Sequence, residues 1–378
     1  MHICFISHEY PLWGRGGGVG SFIQTLGRQL VGSGHQVSVV GVVDISREEV
    51  VDDQGVTIYR LARSRSSRFR FFGNAITLNR KLSAVHAQQP IDILEASELG
   101  LAFVHKSLPF KKLIRMHGGH HYFAVTLGKK PAPWRSWQEK RTFKKADHLI
   151  AVSNFVGEMT MSLLNTPDRK FTTIYNPIDM EAFHEASPEK VEQGNLLFVG
   201  TVCEKKGVRQ LIQAIPHVKQ KHPKVVLNIV GRDWFDPLTG NSYIEDLKQR
   251  FSENELNNVN FVGSVGHDEI PGYLERAQIC VFPSHMESFG IMVIEAMAVS
   301  KPVIFSKTGP GEELVRHKKT GMLSNPHSPQ DIAEKIIYVL DHPSEALEMG
   351  KLARNDVSQR FSIDKLVDEN VEFYRSCL

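Results

Sequence analysis

Short runs of β-branched and apolar residues alternate along the chain with longer stretches whose apolar positions recur every three to four residues. In the first half the runs predict strands over 3–7, 36–43, 57–61, 91–94, 113–116, 149–152 and 171–175, with helices over 18–31, 134–145 and 154–164. The alternation stops at Asn176-Pro177-Ile178-Asp179, and the polar stretch that follows, through Gln193-Gly194, reads as a linker. It then restarts, with strands over 196–199, 225–230, 259–262, 279–282 and 303–305 and helices near 207–222, 243–251, 268–277, 290–299 and 333–340. This succession is that of α/β domains, parallel sheets covered by helices on both faces. Two nucleotide-binding-type sheets in tandem are expected, over 1–178 and 179–360, followed by an amphipathic, acid-rich segment over 361–378.

The 378 residues are 41% apolar and 23% charged, which excludes a disordered or fibrous chain and provides cores for two domains. The longest apolar runs, such as 37–43 and 291–299, fall short of the roughly 18 residues of a membrane span. Met1 leads directly into a strand-like run with no basic leader before it, so the chain is expected in the cytoplasm. Cys4, Cys203, Cys280 and Cys377 are scattered, a pattern that suggests neither a disulfide framework nor a zinc site. The net charge of +3 conceals an asymmetry. Residues 1–178 hold 23 Lys or Arg against 13 Asp or Glu, and the remainder 22 against 29, so the halves carry +10 and −7. A basic first half suggests an anionic partner there.

Three segments carry candidate chemistry. After the first strand comes Gly14-Arg15-Gly16-Gly17-Gly18-Val19-Gly20, opening a helix. Glycines in that place let backbone N–H groups approach a phosphate, although the sixth positions Val19 and Ser21 miss the dinucleotide fingerprint and a plain turn is the alternative. The second half opens likewise, with Gly200-Thr201 leading to Lys205-Lys206-Gly207, where Lys206 can add a point charge to a phosphate. The third segment places Glu287 in a loop and Glu295 in the helix after it. Eight helical steps would separate them by about 12 Å, beyond the roughly 5 to 9.5 Å of a hydrolytic carboxylate pair. Two carboxylates so spaced can accept hydrogen bonds from hydroxyls on both sugars of one nucleotide-sugar; a helix cap plus an exposed Glu is the plain alternative.

Glu287 and Glu295, preceded by Pro283-Ser284 and followed by Ala296-Met297-Ala298 and Lys301-Pro302-Val303-Ile304, resemble the signature of the retaining glycosyltransferase family 4. The likeness extends over nearly the whole chain, through both glycine loops, the Asn176-Pro177-Ile178-Asp179 hinge and Gly309-Pro310-Gly311-Glu312-Glu313-Leu314-Val315. It implies a GT-B architecture: two Rossmann-like domains facing across a cleft, acceptor on the first and nucleotide-sugar mainly on the second, with the 361–378 helix crossing back to the first. It also implies roles for residues. Glu287 would bind donor-sugar hydroxyls and Glu295 the ribose, backbone groups at Ser288, Phe289, Gly290 and Ile291 would hold sugar and diphosphate, and His117 would contact the transferred sugar. Gly17, Gly18, Thr201, Lys206 and Arg232 complete the expected donor site. Thr201 stands where the family usually has Arg, leaving Lys205, Arg209 or Arg232 to supply the missing cation, and Asn176-Pro177 stands where Asn-Gly is commoner.

The expected activity is retaining transfer from a nucleotide diphosphate sugar, with a UDP-sugar the expected donor, to a saccharide or lipid-linked acceptor in cell-surface polysaccharide or glycoconjugate synthesis. No metal or other cofactor is expected. A nucleotide-sugar epimerase on the same fold and a sugar-binding or nucleotide-binding protein without turnover are the rival readings. His120 and His121, beside His117, have no carboxylate at metal-ligand spacing. The run Arg63-Ser64-Arg65-Ser66-Ser67-Arg68-Phe69-Arg70-Phe71-Phe72 interleaves cations and aromatics, as a loop touching an anionic inner membrane face would, or simply as a solvated loop; no nucleic-acid module accompanies it.

Overall fold

In the computed structural model of the protein, the described residues are 1–13, 17–64 and 70–378. Gly14 and Gly16 of the first glycine segment and Arg65 and Arg68 of the basic run lie outside them. The chain divides into two compact units, Met1–Pro177 with Ile363–Leu378, and Ile178–Ser362.

In unit 1 the elements run β1 (His2–Ile6), α1 (Gly18–Gly32), β2 (Gln36–Val43), β3 (Glu49–Asp53), β4 (Val56–Ala62), α2 (Arg70–Gln88), β5 (Ile93–Ala96), β6 (Lys111–Met116), α3 (His120–Thr126), α4 (Pro133–Lys145), β7 (His148–Ala151), α5 (Asn154–Leu163) and β8 (Thr172–Thr173). The sheet order is β3-β4-β2-β1-β5-β6-β7-β8. Every pairing is parallel except β3 with β4. Strands buried on both faces read as unbroken apolar runs, and β1 is buried along its whole length. β3 has no such run. It is an edge strand, half exposed, folded back on β4 through Gln54 and Gly55, whose φ values of 56° and 87° suit a tight hairpin turn. α2 takes in Arg70, Phe71 and Phe72, so the end of the basic run is helical and not the loop expected there; Leu78, Leu82 and Val85 bury its inner stripe.

Unit 2 runs β9 (Asn195–Val199), α6 (Val208–Lys219), β10 (Val226–Val230), α7 (Tyr243–Arg250), α8 (Glu253–Leu256), β11 (Val259–Gly263), α9 (Ile270–Arg276), β12 (Ile279–Phe282), α10 (Ile291–Ala298), β13 (Val303–Ser306), α11 (Gly311–Leu314), β14 (Met322–Ser324), α12 (Pro329–Asp341) and α13 (Pro343–Phe361). Its six strands lie in the order β11-β10-β9-β12-β13-β14, all parallel. The polar stretch after Asp179 is no linker: Ile178 and Phe183 are buried, and the Ile178 N–H donates to the Phe361 carbonyl at 2.9 Å, so 178–194 is part of unit 2.

The segment after Ser362 forms α14 (Ile363–Ser376) and belongs to unit 1. Its buried stripe of Leu366, Val367, Asn370, Val371 and Tyr374 covers a buried ion pair in which Arg115 donates to Glu95 at 2.7 Å and 3.2 Å. The Tyr374 hydroxyl donates to the same carboxylate at 2.7 Å, and Arg115 also reaches the Asn370 amide oxygen. A charge pair this deep needs such extra partners, because desolvation otherwise outweighs the attraction.

Candidate functional site

In unit 2 the strand order reverses between β9 and β12, and at such a switch point the loops leaving the carboxyl ends of the strands diverge and leave a crevice for ligands. The two loops are residues 200–207 and 283–290. They are pressed together where Gly207 turns into α6 with φ 71°; a Cβ there would fall 1.9 Å from the Pro283 carbonyl oxygen. The Lys205 carbonyl accepts the His285 N–H at 2.9 Å. Across this seam Lys206 is ion-paired to Glu287, both about four-fifths buried, and Ser284 donates its hydroxyl to the same carboxylate oxygen at 2.9 Å.

Glu295 lies in α10, 4% exposed. Burial raises its pKa, opposed by the neighbouring His267, whose Nε2 is 3.4 Å from Oε1. The second oxygen, Oε2, is buried without a hydrogen-bond partner among the described residues. Glu295 is therefore not the exposed helix residue of the plain alternative. An unpartnered buried carboxylate oxygen is costly unless something donates to it. Gly290 caps α10 with φ 101°, while Phe289 is buried with its ring edge-on to Phe361 at 5.8 Å. Ser288 and Ile291 flank them in the loop and at the first helical position.

Thr201 follows Gly200, and the loops after β9 and β10 cross so closely that a Cβ on Gly231 would meet the Gly200 oxygen at 1.8 Å. The crossing sets Arg232 beside Thr201, with Nε donating to Oγ1 at 3.4 Å. Arg209 is engaged elsewhere, donating to both oxygens of Glu204 at 2.6 Å and 3.0 Å, and those hydrogen bonds hold that carboxyl down to about 2. Of the three candidates for the missing cation, Arg232 is the one whose guanidinium touches Thr201.

The sheet of unit 1 reverses its order between β1 and β5. Gly17 caps α1 in extended conformation, Gly18 has open space where a Cβ would be, and the Glu9 carboxylate lies against Gly17, 2.1 Å from where its Cβ would stand. The side chain nearest Gly17 is thus a carboxyl group. His117 follows β6. Its N–H donates to Glu98 Oε1 at 2.6 Å, and its ring stands edge-on to Phe22 at 5.3 Å. Desolvation, with the Arg115 guanidinium second, lowers the imidazole pKa well below its usual range, so the ring is neutral. Glu98 is fully buried, which pushes its carboxyl up to about 8.

The other two histidines are tied into the scaffold. His120 Nε2 accepts the Ala132 N–H at 2.8 Å; His121 pairs with Glu139 through Nδ1 and with Ser136 through Nε2 at 2.9 Å. Among the described residues no group of three or more His, Cys, Asp or Glu side chains is placed to hold a metal ion. The residues expected at the donor site thus divide: Thr201, Lys206, Arg232, Glu287–Ile291 and Glu295 in unit 2, and Gly17, Gly18 and His117 in unit 1. Ser284, Glu98 and His267 were not expected. Ser284, three residues before Glu287 in a loop, carried a local signal; the other two meet their partners only through the fold.

A family model described as glycosyl transferases group 1 matches residues 179–356, and one described as glycosyltransferase family 4 matches residues 16–182. Among curated proteins, an uncharacterized glycosyltransferase of Methanocaldococcus jannaschii is 26% identical over 99% of this chain and 98% of its own length. A glycogen synthase of Mycobacterium tuberculosis is 25% identical over 99% and 94%. Among solved structures, the sucrose-phosphate synthase of Thermosynechococcus elongatus superimposes with a TM-score of 0.83 at 23% identity, covering 99% of this chain and 98% of that one. Anabaena HepE in complex with UDP and glucose superimposes at 0.77 and 18% identity, each chain covered in full.

Proposed function

Because the chain belongs to the family 4, group 1 glycosyltransferases, we propose that it moves a sugar from a nucleotide diphosphate donor to an acceptor hydroxyl with retained anomeric configuration and without a metal ion. In that reaction the bond from the anomeric carbon to the diphosphate oxygen breaks, a bond to the acceptor oxygen forms, and the proton of the acceptor hydroxyl passes to an oxygen of the departing diphosphate. The diphosphate leaves as an anion. Lys206 and the backbone N–H groups of the loop after Gly200 would neutralise its growing charge, Arg232 adding the cation that Thr201 lacks. Glu287 would accept from hydroxyls of the transferred sugar, and His117, neutral, would offer that sugar an uncharged hydrogen-bonding group.

The observation that carries the reading is Glu295, whose buried Oε2 has no donor among the described residues and suits a ribose hydroxyl. UDP is the first base to test, since the Anabaena relative in fold holds UDP and glucose. Purified protein incubated with UDP-sugars should release UDP faster when an acceptor saccharide is added, and Glu295→Gln should weaken donor binding about tenfold, the effect of losing one charge-assisted hydrogen bond. Sugar inversion without UDP release would establish the epimerase. Donor binding with neither would establish a binding protein, and an unaltered affinity in the Glu295 variant would remove the ribose assignment.

A further inference from the structure

Unit 1 carries an aromatic patch that none of the transfer chemistry uses. Phe71 and Phe72 at the start of α2, Phe103 in the β5–β6 connection, and Trp134 and Trp137 of α4 form one continuous cluster. Aromatic side chains this large are ordinarily driven inward. Here Phe72, Trp134 and Trp137 are 64%, 54% and 45% exposed.

The exposed charges of α4 have one sign. α4 reads Pro-Trp-Arg-Ser-Trp-Gln-Glu-Lys-Arg-Thr-Phe-Lys-Lys, and its single carboxylate, Glu139, is wholly buried against His121. What remains at the surface is cationic: Arg135, Lys140, Arg141 and Lys144. Among the described residues no ion pair engages any of the four. From residue 99 to 146 the sequence holds eleven Lys or Arg and no acid other than Glu139. Trp134, Trp137 and Arg141 follow one another at helical spacing, and Arg141 Cζ stands 5.3 Å from the Trp137 ring centre.

The ring geometry decides between occupants. A pyranose or a base needs an open ring face to stack on. Trp134 and Trp137 have instead turned faces to each other, centroids 5.0 Å apart and 16° from parallel, and Phe71 closes on Trp134 edge-first at 82°. The group is a compact apolar knob rimmed by cations. Such a knob suits the headgroup boundary of a bilayer, where indole rings sit between acyl chains and water while Lys and Arg reach lipid phosphates.

We infer that the α4 face, with the first turn of α2, docks unit 1 reversibly on an anionic lipid surface, so that the acceptor is an amphiphile held in that surface. The docking stands on the patch alone; the statement about the acceptor rests on the transfer reading. Among the described residues the surface lies mainly on α4, and Arg63 is turned toward Asp44 at 3.9 Å.

The test is co-sedimentation of the full chain with phosphatidylcholine vesicles of increasing phosphatidylglycerol content. Binding should rise with the anionic fraction, fall with salt, and be weakened more than tenfold by combining Arg135→Glu, Lys140→Glu and Lys144→Glu, exposed positions whose change leaves the melting curve intact. Trp134→Ala with Trp137→Ala should lower binding without altering its salt dependence, and inorganic phosphate should not compete, which separates a bilayer from a free anion. UDP binding by the charge-reversed protein should equal wild type, so a failed donor site and a failed docking face give different results. No binding to phosphatidylglycerol-rich vesicles at low salt, equal binding by the charge-reversed protein, or displacement by inorganic phosphate would overturn the inference. Selective retention on an immobilised acidic polypeptide in place of vesicles would overturn it in favour of a protein partner.

Discussion

Neutralising Glu287 should have opposite effects on two halves of the same ligand. In the free protein Lys206 is bound to Glu287, so a diphosphate that recruits Lys206 must first compete with a carboxylate. An exposed ion pair contributes about 0 to 1 kcal/mol and a charge-assisted hydrogen bond about 1.5 to 3 kcal/mol. With the two side chains 22% and 17% exposed, a value near 1 kcal/mol, a factor of about five, is expected at an intermediate depth. Glu287→Gln releases that competition. UDP alone should then bind about fivefold tighter to the variant than to wild type, whereas UDP-sugar should bind more weakly, because a neutral amide replaces the charged acceptor for the sugar hydroxyls. Titration calorimetry at low salt with both ligands reads the two signs. Lys206→Met in the same background should erase the gain for UDP. UDP affinity unchanged or lowered in Glu287→Gln would show that Lys206 does not exchange partners, and would refute the reasoning.

Gly207→Ala should separate the two loops of unit 2, because the new methyl would sit 1.9 Å from the Pro283 oxygen at φ 71°; a loss of about 2 to 4 kcal/mol in denaturant unfolding is expected, and wild-type stability would refute it. Glu98 titrates near 4.5 when exposed and at about 8 in the fold, so the folded state holds the extra proton and stability falls as pH rises through that window. Glu98→Gln lacks the slope, and its melting temperature should gain on wild type steadily from pH 5 to about pH 8; parallel curves would sink the assignment.

The strands of both sheets were legible because burial on two faces leaves little but Val, Ile, Leu and Phe, as in β1, β2 and β12. β3 was not, since an edge strand with Glu49, Asp52 and Asp53 shows no apolar run. α2 was hidden by its own start: Arg70-Phe71-Phe72-Gly73 looks like a basic loop, and the periodic stripe Leu78, Leu82, Val85 appears only later. The stretch after Asp179 misled by polarity, because the buried Phe183 and backbone hydrogen bonds from Ala186 and Glu192 anchor it. At the candidate site the sequence contained Glu287, Glu295 and Lys206 as residues but not as relations. That Lys206 meets Glu287, that Arg232 and not Arg209 stands by Thr201, and that Trp134 and Trp137 stack outward all depend on loops or rotamers that periodicity does not encode.

The return of the chain to unit 1 through α14 has a consequence for biosynthesis. Unit 2 is one uninterrupted stretch of sequence and can finish folding as soon as residue 362 leaves the ribosome, whereas unit 1, although begun first, waits for Ile363–Leu378. Until Asn370 and Tyr374 arrive, the Arg115–Glu95 pair lacks two of its hydrogen-bond partners. The usual N-to-C order in which domains mature during translation is therefore inverted. A chain cut after residue 362 would keep the whole of unit 2 and leave unit 1 without the helix that covers its buried ion pair, so proteases and chaperones that read exposed cores would find the defect in the half of the protein made first.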